Sequence, residues 1–112
     1  MITLAVGQVW KVPFFPNQED KTQGTVRWIL IVEDLVDSVE IIPLTTQLGQ
    51  VANYTQTTIV DVNSNEGRIM GLEDTSLFIF DRKISLTKKA FISPPCEYKG
   101  TCSQDFLEEN GY

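Results

Sequence analysis

The stretch "VRWILIV" (residues 26–32) decides the fold. Every residue in it except Arg27 is β-branched, aliphatic or aromatic, so it reads as a strand buried on both faces. Upstream, "QVWKVPFF" (8–15) sets Trp10, Val12 and Phe14 on one face and Val9, Lys11 and Phe15 on the other, the period-2 signature of a strand. Pro13 places that strand at an edge or a bulge. Between the two, "PNQEDKTQGT" (16–25) is a run of turn formers and charges, long enough for a functional loop.

Downstream of the turn "EDLVD" comes the strand "SVEIIPL" (38–44), which runs through Pro43 into Thr45, Thr46 and Gln47 and a polar loop, "TTQLGQVANYT". "QTTIVDV" (56–62) alternates again, "NSNEG" reads as a turn, and "RIMGL" as a short strand interrupted by Gly71. "SLFIF" and "RKISL" (76–86) are two short strands or one bent strand broken at Asp81. No segment before residue 86 has a 3.6-residue apolar period, which leaves helix to "LTKKAF" and to the tail, where Ser103 can cap "QDFLEE". The chain is therefore mainly β: five to seven short strands forming a small, strongly bent sheet or barrel, with a short C-terminal helix.

A chain of 112 residues holds one domain, and charged and hydrophobic fractions of 21% and 42% are those of an ordinary soluble globule. No apolar run approaches the ~20 residues of a bilayer span, and "MITLAVGQVW" lacks the basic and apolar regions of a signal peptide, so the expectation is a cytoplasmic protein with no membrane partner. The net charge of −6 argues against a broad basic nucleic-acid surface and confines any such role to a local patch. Much of the acidity lies in residues 97–112, with Glu97, Asp105, Glu108 and Glu109 against Lys99. Cys96 and Cys102, in a chain without histidine, are too few for structural zinc. They form either a clasp across a Lys99-Gly100 turn or, as a cytosolic setting favours, two reduced thiols.

Without histidine or a phosphate-binding glycine loop, chemistry must come from Arg, Thr, Asp and Glu. Arg27, at the start of an apolar strand, presents its planar fork at the rim of the core to a phosphate or carboxylate, unless it pairs with Glu33, Asp34 or Asp81. Thr45 and Thr46 leave a strand where hydroxyls and backbone N–H groups become available, although Thr is common in strands and turns for its own reasons. Asp81 interrupts "LFIF", where proximity to the core can raise a carboxyl pKa for acid or base work, or it is a turn residue before Arg82.

In order and spacing these pieces resemble the MazF/PemK family of toxin ribonucleases over roughly residues 6–91. "GQVWKVPFFP" is similar to the family's opening Gly-acid-Ile-Trp-x-Val strand with its Phe-Pro. "QGTVRWILIV" resembles Gly-x-Arg-Pro-Val-x-Val-Leu, with Arg27 on the arginine. "IIPLTTQ" resembles Pro-Cys-Thr-Thr-Gln, with Thr45 on the threonine, and "GLEDTSLFIFDRKISLTKKAF" resembles the segment that carries an acid at Asp81. Gln8 stands where the family has an acid, Trp28 where it has a proline, and Ile79 where some relatives have a second catalytic arginine, with Arg82 nearby.

The resemblance implies an SH3-like, CcdB-type barrel domain over residues 1–95, an acidic C-terminal extension over 96–112, and a homodimer. It also implies a cofactor-free, metal-independent endoribonuclease that cuts single-stranded RNA through the ribose 2′-oxygen, leaving a 2′,3′-cyclic phosphate and a 5′-hydroxyl, and that a cognate antitoxin neutralises. Arg27, Thr45 and Asp81 are then the expected catalytic residues. Phe15, Glu19, Lys21, Trp28, Thr46, Gln47 and Arg82 are expected to bind substrate, with Glu19 or Asp20 as alternative bases and Phe14, Phe15 and Trp28 as stacking platforms. The alternative is an inactive barrel of the same type whose groove binds a protein or peptide.

Overall fold

The computed structural model describes residues 3–16, 24–91 and 96–112, with side chains at 3–12, 27–89, 91 and 96–112. Seven strands, β1 (Gln8–Pro16), β2 (Gly24–Asp34), β3 (Ser38–Thr45), β4 (Thr57–Val60), β5 (Ser76–Ile79), β6 (Ile84–Thr87) and β7 (Glu97–Thr101), make one sheet. Two short helices, α1 (Asn65–Ile69) and α2 (Gln104–Glu109), and 3-10 turns at Leu48–Asn53 and Lys88–Phe91 complete the chain. All strand pairs are antiparallel, in the order β4-β5-β3-β2-β1-β7, with β6 also on β3. The mainly β class is the one the sequence indicates. Among the described residues, however, β4 and β7 do not pair with each other, so the sheet is not closed into a hydrogen-bonded barrel.

Strand β2 shows why its sequence is an unbroken apolar run. Leu30 and Val32 enter one core cluster with Val9, Ile42, Leu44 and Phe78, whereas Ile29 and Ile31 enter a second with Trp10, Val12, Val39 and Ile41. A central strand covered on both faces has no polar side to alternate with. The β1–β2 register shifts between Val12 and Phe15, around Pro13, which the sequence places at an edge or a bulge. On the far side of β3, Ser38–Ile41 pair with β6 and Leu44–Thr45 pair with β5, so β5 and β6 are one strand broken around Asp81. Pro43, which has no N–H to give a ladder, sits where β3 changes partner.

Three local expectations change. "NSNEGRIM" is not a turn and a strand but helix α1, capped by Ser64, whose Oγ accepts from the Gly67 N–H at 3.0 Å. Five helical residues are too few to display a 3.6-residue period, so the cap was the available signal. The loop after Thr46 carries the 3-10 turn Leu48–Asn53. The Lys99-Gly100 turn is instead the middle of β7, and six residues of extended chain hold Cys96 and Cys102 about 20 Å apart, beyond disulfide reach. Among the described residues neither cysteine forms a disulfide.

Residues 96–112 are part of the fold and not an appendage to it. Strand β7 pairs with β1 from Gln8↔Thr101 to Lys11↔Glu97. Helix α2 is capped by Ser103, as the sequence indicates, with the Phe106 N–H donating to its Oγ at 3.1 Å. Phe106 and Leu107 fill the first cluster, with the Phe106 ring set edge-on to Phe78 at 5.3 Å. Glu66 on α1 accepts from the Ser103 N–H and Oγ at 2.8 and 2.6 Å, tying the two helices together. Among the described residues, no helix is long and apolar enough to cross a membrane.

Candidate functional site

Antiparallel pairing brings the start of β2, the end of β3 and the start of β5 to one end of the sheet. An open cavity of about 400 Å³ lies there. Strand β2 contributes Arg27 and Trp28, β3 and its exit contribute Leu44, Thr45, Thr46 and Gln47, and the approach to β5 contributes Glu73, Asp74 and Ser76. Trp28 pairs with Leu44, and Arg27 and Thr45 are the next residues beyond that pair on the two strands. Five residues expected at a functional site, Arg27, Trp28, Thr45, Thr46 and Gln47, thus line one cavity.

The Arg27 side chain is half-buried, and among the described residues it makes no ion pair or hydrogen bond. Of the partners considered for it, Asp34 pairs with Lys88 at 2.8 Å, Asp81 holds a loop, and Glu33 forms no ion pair among the described residues. Thr45 Oγ1 accepts from the Gln47 N–H at 3.1 Å, which fixes the chain as it leaves β3 and leaves the hydroxyl proton available for donation. Gln47, Gln50 and Asn53 continue as a chain of side-chain amides along the 3-10 turn, with bonds of 3.4 and 2.7 Å.

Trp28 packs against the first core cluster, and Lys99 Nζ from β7 stands 5.2 Å from its ring centroid. The same ammonium pairs with Glu73 at 3.3 Å and Glu97 at 3.2 Å, and the Glu97 and Glu73 carboxylates push its pKa up. One face of Trp28 therefore carries a cation already, which restricts base stacking on it. Lys99, Glu73, Asp74 and Ser76 were not singled out from the sequence. They join the site only through the β3–β5 and β1–β7 pairings, and "LEDTS" carries no mark linking it to Arg27.

Asp81 lies elsewhere. Its carboxylate accepts from the Thr55 N–H at 2.9 Å, the Thr55 hydroxyl at 2.7 Å and the Gln56 N–H at 2.7 Å, and it is not part of the cavity lining. These bonds, with the Thr55 backbone N–H foremost, hold its carboxyl below the usual carboxylate range, the reverse of the raised pKa expected beside a core. Asp81 pins the 55–56 loop to the break between β5 and β6. Arg82 is at the same break, its guanidinium 5.5 Å from the Tyr54 ring centroid, also outside the lining.

Ile79 is buried in β5, a position with no room for a solvated guanidinium. Gln8 is a clamp: its Oε1 accepts from Trp10 Nε1 at 2.9 Å and from the Ala5 N–H at 3.1 Å, while its Nε2 donates to the Thr3 carbonyl at 2.8 Å. A carboxylate could not make the last of these bonds, which accounts for an amide here. Glu19, Asp20 and Lys21, and the side chains of Phe14 and Phe15, lie outside the described residues.

The cavity is two-sided in charge. Arg27 and the Thr45–Gln47 exit offer donors to an anion, whereas Glu73 and Asp74 offer acceptors, and Lys99 neutralises Glu73. Such a lining suits a ligand that carries a phosphate at one end and hydroxyl or amino donors at the other. Among the described residues, no three His, Cys, Asp or Glu side chains are grouped to hold a metal ion. No protein-family model matches the chain, and no curated protein matches it significantly.

Proposed function

We propose that this cavity binds the sugar-phosphate backbone of single-stranded RNA, and that the protein is a metal-independent endoribonuclease of the MazF/PemK type, the toxin of a toxin-antitoxin pair. The supporting observation is Arg27, a half-buried guanidinium with no partner among the described residues, lining one cavity with Thr45, Thr46 and Gln47. The resemblance of "QGTVRWILIV" and "IIPLTTQ" to that family adds weight from the sequence.

In this reaction the ribose 2′-oxygen attacks the adjacent phosphorus in line, and negative charge accumulates on the phosphoryl oxygens. A half-buried guanidinium beside the phosphate gains most from that charge, so Arg27 stabilises the transition state more than the bound substrate. Thr45 donates its free hydroxyl proton to the same phosphate. With a net charge of −6 the protein has little long-range attraction for RNA, so binding is carried by these few local contacts and varies only shallowly with salt, in proportion to the phosphates neutralised. A cytoplasmic homodimer neutralised by an antitoxin belongs to the same proposal.

The test is incubation of the purified protein with a long single-stranded RNA in EDTA, with mapping of cut sites and end chemistry. Wild type should leave 2′,3′-cyclic phosphate and 5′-hydroxyl ends. Arg27→Ala and Thr45→Ala should each lose about 10²-fold or more in rate and keep the wild-type melting temperature, because neither truncation opens a large core cavity. Intact RNA with well-folded wild type refutes the proposal. The second reading, an inactive module that binds a basic peptide, is favoured by the Glu73 and Asp74 wall.

A further inference from the structure

The ribonuclease reaction needs a base for the 2′-hydroxyl, and we infer that Asp74 is that base, an inference that rests on the ribonuclease reading above. Three carboxylates, one outside the cavity and two in its lining, differ in what already occupies them. Asp81 accepts three hydrogen bonds from Thr55 and Gln56 and lies outside the cavity. Glu73 is in the lining, paired with Lys99 at 3.3 Å. Asp74 is also in the lining, and among the described residues its carboxylate forms no hydrogen bond or ion pair.

The backbone that presents Asp74 is held on both sides. Its carbonyl accepts from Ser76 Oγ at 2.9 Å, and Thr75 Oγ1 accepts from the Val62 N–H at 3.1 Å. Asp74 thus lines the cavity from an anchored loop at the approach to β5, with Arg27 of β2 in the same lining. A space of about 400 Å³ is within the size range of small-ligand clefts. The charged groups around it are Arg27 from β2, Glu73 on its own loop and Lys99 from β7.

With the phosphate on Arg27 and Thr45, the 2′-hydroxyl passes its proton to Asp74 as the O2′–P bond forms. The P–O5′ bond breaks, the departing 5′-oxygen takes a proton from water, and Asp74 returns its proton to solvent. No metal, oxidant or further reactant enters the balance. Asp74 is a catalytic residue in this scheme, and Glu73 is held away from that role by Lys99.

The experiment uses the full chain and a short RNA containing a cut site mapped on the long substrate, together with the same oligonucleotide carrying 2′-deoxyribose at the scissile position. Asp74→Asn should slow single-turnover cleavage 10²- to 10⁴-fold while binding the deoxy analogue within about threefold of wild type. Glu108→Gln, at an exposed carboxylate on α2 outside the cavity lining, should keep close to the wild-type rate, and Asp74→Glu should recover part of what Asp74→Asn loses. Cleavage by Asp74→Asn at the wild-type rate, or equal losses in Asp74→Asn and Asp74→Glu with analogue binding also lost, overturns the assignment to Asp74. Wild type that neither binds the analogue nor cuts the RNA overturns the ribonuclease reading itself.

Discussion

Phe106→Ala tests whether the acidic C-terminal segment is part of the core or only lies against it. The Phe106 ring is 5% exposed and stands against Phe78 at 5.3 Å and Phe80 at 6.3 Å, closing one face of the sheet. Truncating a buried phenylalanine costs about 3–5 kcal/mol, through lost transfer free energy and the cavity left behind. A domain of 112 residues has a total stability of roughly 5–15 kcal/mol, so the variant loses a large share of it. With a urea m-value of about 1.5 kcal/mol/M, the unfolding midpoint should fall by roughly 2–3 M. The assay is equilibrium urea unfolding followed by tryptophan fluorescence, with exposed Glu108→Gln on the same helix as control, expected within about 0.5 kcal/mol of wild type. A Phe106→Ala loss below about 1 kcal/mol would show that residues 96–112 only lie against the sheet, and the description of the core would be wrong. The same physics means that deleting residues 96–112 removes β7 and α2, so such a truncation unfolds the protein and cannot uncover its cavity.

Two further predictions concern the framework. Asp81→Asn keeps the side-chain shape and removes the charge that three donors stabilise. Because the folded pKa is lowered, the carboxylate's stabilising effect is fully present above its unfolded pKa of about 4 and is lost as pH falls through the folded value. Wild type should therefore melt above Asp81→Asn at neutral pH, with the gap narrowing below about pH 4; a gap that widens in acid contradicts the hydrogen-bond assignment. Gly100→Ala places a methyl group against the Ile69 carbonyl oxygen and Met70 backbone and should cost about 1–3 kcal/mol, read as a drop in melting temperature, whereas Gly49→Ala, with open space around it, should cost less than about 1 kcal/mol.

Part of the candidate site was legible before the fold was known, and its limits follow from how the signals arise. Arg27 stands out because a charge inside "VRWILIV" is anomalous, and Thr45 through Gln47 because polarity begins where an apolar strand ends. Asp81 stood out by the same logic, and there the fold reversed the meaning: the carboxylate that interrupts "LFIF" points at the Thr55 and Gln56 donors across the strand break. Helix α1 was missed because a single turn carries too little periodicity to outweigh the turn-like "NSNEG".

What the sequence by itself determined is whatever a few neighbouring residues can encode. It gave the two-faced burial of β2, the edge or bulge at Pro13, the break at Asp81 and the Ser103 cap on α2, since alternation, a missing N–H and a capping hydroxyl act within one element. Only the tertiary structure decided that Glu73 and Asp74 line one cavity with Arg27, that Lys99 covers Trp28, and that Phe106 and Leu107 join the core. Each of these depends on strand order and register between segments far apart in the chain, and that pairing is chosen by the burial of the whole sheet, which no local stretch contains.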